Sequence, residues 1–390
     1  MAIRAVQEDH RKMSPGPRPL PVTCPIGWQP NPLAPVFHGA RSLGTNEGAP
    51  VPLRVWFPSL DGSVESAPIM EGCGRYPLVL FCHGHCPGDS ENYRAWSLIP
   101  SLLARAGYVV VVPHLVGNTG GNNPSVSSHP DEATLDRVLD WARDGWEHAD
   151  CLMPPPATAV IGHSFGAMLG ARFAVGREVS AYAGLSGGWL DWFGDAPFPL
   201  PLLDVPTLLL WGGASDFFAH LPDATWQSMH LPRHRVVYTE GEHWDYLGNH
   251  VTVPCRRSPG PCRHTAGATG DLLSMFLGRY LPPECATTVA GRIPQSLAPP
   301  LPLTLAADQE FYAGLWLIHF DALGGDASCG VDVSVEPAPL VANSRTRETH
   351  SLDHPCEWVS AIAIGNRRFV TDKPSGYHWC DYCFPALADG

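Results

Sequence analysis

From Pro52 onward, short unbroken apolar runs alternate with stretches in which apolar residues recur every three or four positions. The runs are Leu53–Phe57, Leu78–Cys82, Tyr108–Val112, Ala157–Ile161, Ala181–Leu185, Thr207–Trp211 and Arg235–Tyr238. A strand with one wet face would alternate apolar with polar residues, so unbroken runs predict strands covered on both faces of a mostly parallel sheet. Between them, Trp96–Arg105, Asp131–Asp144, Phe165–Val175 and Asp271–Tyr280 carry apolar residues at helical spacing. The alternation predicts an α/β fold with a mostly parallel central sheet flanked by helices. Such sheets bind ligands beyond the carboxyl ends of their strands, so the residues just after each run are the first candidates for chemistry.

The pattern fails at both ends. Residues 1–35 are polar and Pro-rich and predict an irregular segment. The α/β unit is expected over 36–290, a Pro-rich linker over 291–303, and a C-terminal extension over 304–390. In that extension, 303–340 is strand-like but poorly patterned, and 341–390 is dense in Cys, His and aromatic residues. No internal repeat occurs at a solenoid period. No run approaches the roughly 20 apolar residues of a membrane span, and the N-terminus lacks the apolar core of a signal peptide, so a cytoplasmic location is expected.

Composition sharpens this in two ways. The 390 residues are 44% hydrophobic and 16% charged with 41 Pro and 39 Gly, which describes a loop-rich globular protein rather than a disordered one. A formal net charge of −13 argues against nucleic acid as the main partner, although Arg345, Arg347, Arg367 and Arg368 form one local basic patch. A small neutral or cationic substrate fits better.

Gly162-His163-Ser164-Phe165-Gly166 stands between a predicted strand and a predicted helix, the context that a G-x-S-x-G nucleophile turn requires. The glycines permit a tight turn that leaves Ser164 exposed at its apex. A serine hydroxyl needs a base within hydrogen-bond reach and a carboxylate to orient that base. Asp216, after the run Thr207–Trp211, is the candidate acid, with Asp191 and Asp195 as rivals. His243, after Arg235–Tyr238, is the candidate base ahead of His250 and His264. The backbone N–H of Phe165 offers one oxyanion donor, and the N–H of His85, in the His83-Gly84-His85 turn, offers the second. Trp189 and His163 are the candidate substrate-binding residues.

Leu78–His85, Ala106–Pro113 and Gly162–Gly166 resemble the α/β-hydrolase superfamily, and the likeness extends from residue 50 to about 285. Within it they are similar to the branch of chlorophyllases, platelet-activating-factor acetylhydrolases and dienelactone hydrolases, near the cutinase-like polyester hydrolases. The resemblance implies hydrolysis of a small-molecule carboxylic ester through an acyl-enzyme, without a catalytic cofactor. Amidase, thioesterase or acyltransferase chemistry would use the same triad, and a catalytically inert scaffold with an interaction tail is the alternative of another class. Cys255 and Cys262 bracket a segment that is either a bridged lid or a loop with two thiols.

Twelve cysteines are unevenly placed. Cys380-Asp381-Tyr382-Cys383 has the two-residue spacing of a zinc half-site, and His350, His354 and Cys356 offer the other half. Val341–Ser344, His350, Cys356–Val359, Asn366-Arg367 and Gly376–Cys383 together resemble an Ada-type zinc-binding module. That resemblance implies His350, Cys356, Cys380 and Cys383 as ligands of a structural zinc, with His354 as a substitute for His350. The expected architecture is therefore an α/β-hydrolase domain plus a small zinc-stabilised C-terminal domain.

Overall fold

The computed structural model describes residues 38–42, 51–59, 68–70, 74–86, 92–115, 131–187, 200–213, 216, 221, 223–239, 241–247, 265–284, 331–336, 338–352, 356, 358–362 and 366–385. The N-terminal segment 1–35 and the linker 291–303 lie outside these residues.

Strands β1 (His38–Ser42) and β2 (Pro52–Trp56) pair antiparallel. The run Leu78–Cys82 forms β3, followed by α1 (Asn92–Ala95), α2 (Leu98–Arg105) and β4 (Val109–Pro113). Next come α3 (Glu132–Asp140), β5 (Thr158–His163), α4 (Phe165–Ala174), β6 (Ala181–Leu185) and β7 (Thr207–Gly212). The chain continues through α5 (Asp223–Ser228), β8 (Arg233–Tyr238), α6 (Thr265–Tyr280) and β9 (Val331–Glu336).

These strands form one sheet in the order β1-β2-β4-β3-β5-β6-β7-β8-β9. The six central strands from β4 to β8 run parallel, while β2 and β9 flank them antiparallel. Every residue of β3, β4, β5, β6 and β7 is buried, which is why their sequences read as unbroken apolar runs. Alternate residues of one strand enter opposite cores. Val79 and Phe81 of β3 pack with Ile99 and Leu103 of α2 and with Leu272 and Phe276 of α6. Leu78 and Leu80 pack with Leu135 and Val138 of α3 and with Leu169 and Phe173 of α4. Each such side chain contributes roughly 1.5–3 kcal/mol by leaving water.

Two elements begin two or more residues before their expected starts. α6 begins at Thr265 rather than Asp271 because its first turns bury Ala266, Ala268 and Thr269, small residues that draw no apolar stripe. β8 begins at Arg233 because that guanidinium is buried against a carboxylate from far along the chain: Arg233 Nε donates to Glu336 Oε2 at 3.1 Å. Glu336 closes β9, its other oxygen accepts from Trp226 Nε1 at 2.7 Å, and Arg233 and Glu336 are opposite each other in the strand register. Residues from the C-terminal extension thus complete the main sheet as its edge strand.

The last unit contains β10 (Leu340–Asn343), β11 (Glu348–Ser351), α7 (Trp358–Ala361), β12 (Arg367–Val370) and β13 (His378–Trp379). Its sheet has the order β12-β10-β11-β13. Among the described residues its own apolar cluster is Val341, Val359 and Ile362, with Leu352, Cys356 and Phe369 packed around them. Phe369 also meets Tyr280 of α6 edge-on, ring centroids 5.4 Å apart.

Candidate active site

Ser164 follows β5 directly and caps the start of α4 at φ 54°, ψ −123°, in a region that a residue with a Cβ adopts only when its surroundings enforce it. Two glycines allow the enforcement. A Cβ on Gly162 would lie 2.2 Å from the carbonyl oxygen of Gly166, and one on Gly166 would lie 2.1 Å from that of Cys82. The Ser164 N–H donates to the Leu185 carbonyl at 2.9 Å, tying the turn to β6.

Asp216 lies beyond β7 and His243 beyond β8, and the two loops nest tightly. A Cβ on Gly212 would meet the Gly241 carbonyl oxygen at 2.2 Å and Asp216 Cβ at 2.9 Å. His243 Nδ1 is 3.1 Å from Asp216 Oδ1, and both side chains are buried. The other carboxylate oxygen accepts from the Gly212 N–H at 3.0 Å and from the Ser186 hydroxyl. These donors fix the orientation of the carboxylate, and its contact with Nδ1 turns the Nε2 edge of His243 away from it.

Ser186 is the residue that sequence reasoning missed. It follows β6 at φ 42° and contacts Tyr246 Oη at 3.2 Å, so one buried chain runs Tyr246, Ser186, Asp216, His243. Its place just past a buried strand was the available signal. Tyr246 carried none, because it lies in a short turn whose approach to β6 is a tertiary event.

His163, expected to touch substrate, is fully buried. Its ring lies 4.8 Å from Trp96, 4.7 Å from His243, 5.1 Å from Trp244 and 5.6 Å from Tyr246. Its Nε2 is 2.7 Å from the His243 carbonyl oxygen, which can only accept, so Nε2 carries the proton. Burial, reinforced by His243, pushes His163 well below the usual imidazole range and keeps the ring neutral. Trp189, Asp191, Asp195, His250, His264, Cys255 and Cys262 lie outside the described residues.

The β3 loop passes directly over Ser164. A Cβ on Gly84 would be 3.0 Å from Ser164 Cβ, and the ring of His85 meets that of Phe165 edge-on at 5.3 Å. The two residues expected to supply oxyanion donors therefore flank Ser164. The next residue, Cys86, is disulfide-bonded to a partner outside the described residues.

A second constellation lies in the C-terminal unit. His350, Cys356, Cys380 and Cys383 place one ligand atom each within 4.8 Å of one another. Cys356 Sγ is 3.5 Å from His350 Nδ1 and 3.7 Å from Cys380 Sγ, and Cys383 Sγ is 3.9 Å from His350 Nδ1. Tetrahedral zinc, with Zn–S about 2.3 Å and Zn–N about 2.0–2.1 Å, requires S···N near 3.5 Å and S···S near 3.8 Å. Three thiols and an imidazole at these separations fit such an ion. Burial pushes the Cys380 thiol up to about 12, so thiolates here need a cation beside them. His354 lies outside the described residues.

Residues 77–187 match the family described as alpha/beta hydrolase fold. With the sheet order and the strand-turn-helix at Ser164, the chain has the α/β-hydrolase fold. No curated protein sequence matches the chain. Among solved structures it is similar to dienelactone hydrolase from Anabaena variabilis, at 19% identity over 62% of this chain and 97% of that one, TM-score 0.42. It is also similar to ferulic acid esterase from Streptomyces cinnamoneus, at 16% identity over 64% and 87%, TM-score 0.47. A third is a dienelactone hydrolase homologue from Klebsiella pneumoniae, at 20% identity over 62% and 98%, TM-score 0.43.

Proposed function

We propose that this chain is a serine hydrolase that cleaves a small-molecule carboxylic ester through an acyl-enzyme. The observation that carries the reading is the buried His243–Asp216 pair at 3.1 Å, at the same end of the sheet as a serine held at φ 54°. Ser164 Oγ attacks the ester carbonyl while His243 Nε2 takes its proton, and the imidazolium is stabilised by Asp216. The tetrahedral oxyanion is met by the N–H groups of Phe165 and His85. His243 returns the proton to the leaving alkoxide, and water, deprotonated by the same imidazole, releases the acid.

His163 and Ser186 act behind this set as positioning residues. His163 holds the backbone of the base through the His243 carbonyl, and Ser186 fixes the rotation of Asp216. Neither touches substrate in this account.

His350, Cys356, Cys380 and Cys383 hold a structural zinc in the same reading. The ion cross-links two segments whose apolar core is too small to hold them, and takes no part in the hydrolysis.

Steady-state hydrolysis of a p-nitrophenyl ester tests the proposal. Ser164→Ala should lower kcat by at least about 10⁴-fold, and Asp216→Asn by on the order of 10³–10⁴-fold, with KM little changed. A Ser164→Ala enzyme within tenfold of the parent would overturn it. A matched series of ester, amide and thioester then settles the acyl preference, and ester should be turned over fastest.

A further inference from the structure

His83 and Asn92 are fully buried beside the β3 loop, and neither has a part in the proton transfers above. Leu115 N–H donates to His83 Nε2 at 2.9 Å. A backbone N–H cannot accept, so Nε2 is unprotonated, the neutral ring carries its proton on Nδ1, and that proton is donated to the Gly84 carbonyl oxygen at 2.9 Å. Asn92 Nδ2 donates to the same oxygen at 2.8 Å. The Asn92 NH2 also lies 3.2 Å from His83 Nδ1, but the reverse orientation would set two acceptor oxygens 2.8 Å apart, so the amide faces Gly84 with its nitrogen. In this orientation Asn92 Oδ1 is buried with no hydrogen-bond partner among the described residues, a cost that the clamp on Gly84 must offset.

In a trans peptide the C=O of one residue and the N–H of the next point in opposite directions. Fixing the Gly84 carbonyl toward His83 and Asn92 therefore fixes the His85 N–H toward the other side. Gly84 passes over Ser164 there, with the position of its missing Cβ 3.0 Å from Ser164 Cβ. An oxyanion donor is effective only if it is oriented before charge develops, and glycine is the residue least able to hold its own peptide plane.

We propose that Asn92, with His83, is a positioning residue for the oxyanion hole: its side-chain amide locks the Gly84–His85 peptide so that the His85 N–H faces the reacting carbonyl. The inference rests on Ser164 being the nucleophile and deepens that reading. Asn92 acts through the peptide and never touches substrate. A residue of the short helix α1 thereby controls the donor geometry in the loop after β3.

The test uses the full chain and a p-nitrophenyl ester. Asn92→Leu should lower kcat about 10- to 100-fold with KM unchanged, less than the roughly 10²–10³-fold loss when an oxyanion donor is deleted. The inhibition constant of a trifluoromethyl ketone, whose adduct carries the oxyanion, should rise by the same factor. Asn92→Asp keeps the shape but can donate to Gly84 only when protonated, so its activity relative to wild type at the same pH should climb as pH falls. That profile decides the matter even if Asn92→Leu does not fold, since a merely structural role would leave the ratio flat. Wild-type kcat in Asn92→Leu, or a flat ratio in Asn92→Asp, overturns the clamp. Full activity in Ser164→Ala would instead overturn the underlying hydrolase reading, so the two failures are distinguishable.

Discussion

At the scale of single residues, the proposed triad depends on groups that reach it through others. Ser186→Ala removes one donor to the Asp216 carboxylate, which keeps the Gly212 N–H and the His243 ring among its partners. A hydrogen bond to a charged group contributes about 1.5–3 kcal/mol, so kcat should fall on the order of tenfold or more. Far-UV circular dichroism should be unchanged, which separates this effect from unfolding. Another buried imidazole governs stability in acid. His234 lies against Tyr280, with Nε2 2.8 Å from the phenol oxygen, and burial, then Arg279, lowers it well below its ordinary 6.5. The unfolded chain therefore binds a proton near pH 6.5 that the fold refuses, so this contribution is complete above 6.5 and lost as pH falls toward the folded value. Melting temperature should drop between about pH 7 and 5, and His234→Leu should give a flatter curve over that window. The placement of Ser164, Asp216 and His243 beyond buried strands was legible in the sequence, whereas the contact of Asn92 with the Gly84 carbonyl was not, because it is made across a loop.

At the scale of elements, the unbroken apolar runs gave β3 and β6 at their observed bounds, and the strand-turn-helix at Ser164 followed from two glycines. The miss with most consequence is β9. Its sequence Val-Asp-Val-Ser-Val-Glu alternates, the pattern of an edge strand, but it stands far from the strand it joins and beyond a Pro-rich stretch. Its placement is decided by pairing with β8 and by Glu336, which Arg233 and Trp226 both contact. Glu336→Ala leaves the buried Arg233 without its carboxylate. Since the Glu336 side chain is 36% exposed, the expected loss is about 1–3 kcal/mol rather than the larger cost of a fully buried pair, read from the urea midpoint. Ending the chain before Val331 should do more: it bares the β8 edge, and light scattering should report aggregation.

At the scale of the whole molecule, β9 closes the edge of the main sheet just before the C-terminal unit begins, and that unit meets the main body at the Phe369–Tyr280 contact. Metal analysis should find one zinc per chain. Chelation should unfold the C-terminal unit, with its three-residue core, while activity on a p-nitrophenyl ester falls far less than stability. Activity lost in step with zinc would instead place the metal in the chemistry. No helix of the described residues is long and apolar enough to cross a membrane. The central claim concerns one oxygen atom, Ser164 Oγ, and its activation by His243. Mass spectrometry after treatment with a fluorophosphonate reads that most directly. The account predicts one adduct per chain on the peptide containing Ser164, none in Ser164→Ala, and much slower labelling in His243→Ala. An unlabelled wild-type protein, or labelling that persists in Ser164→Ala, would contradict it.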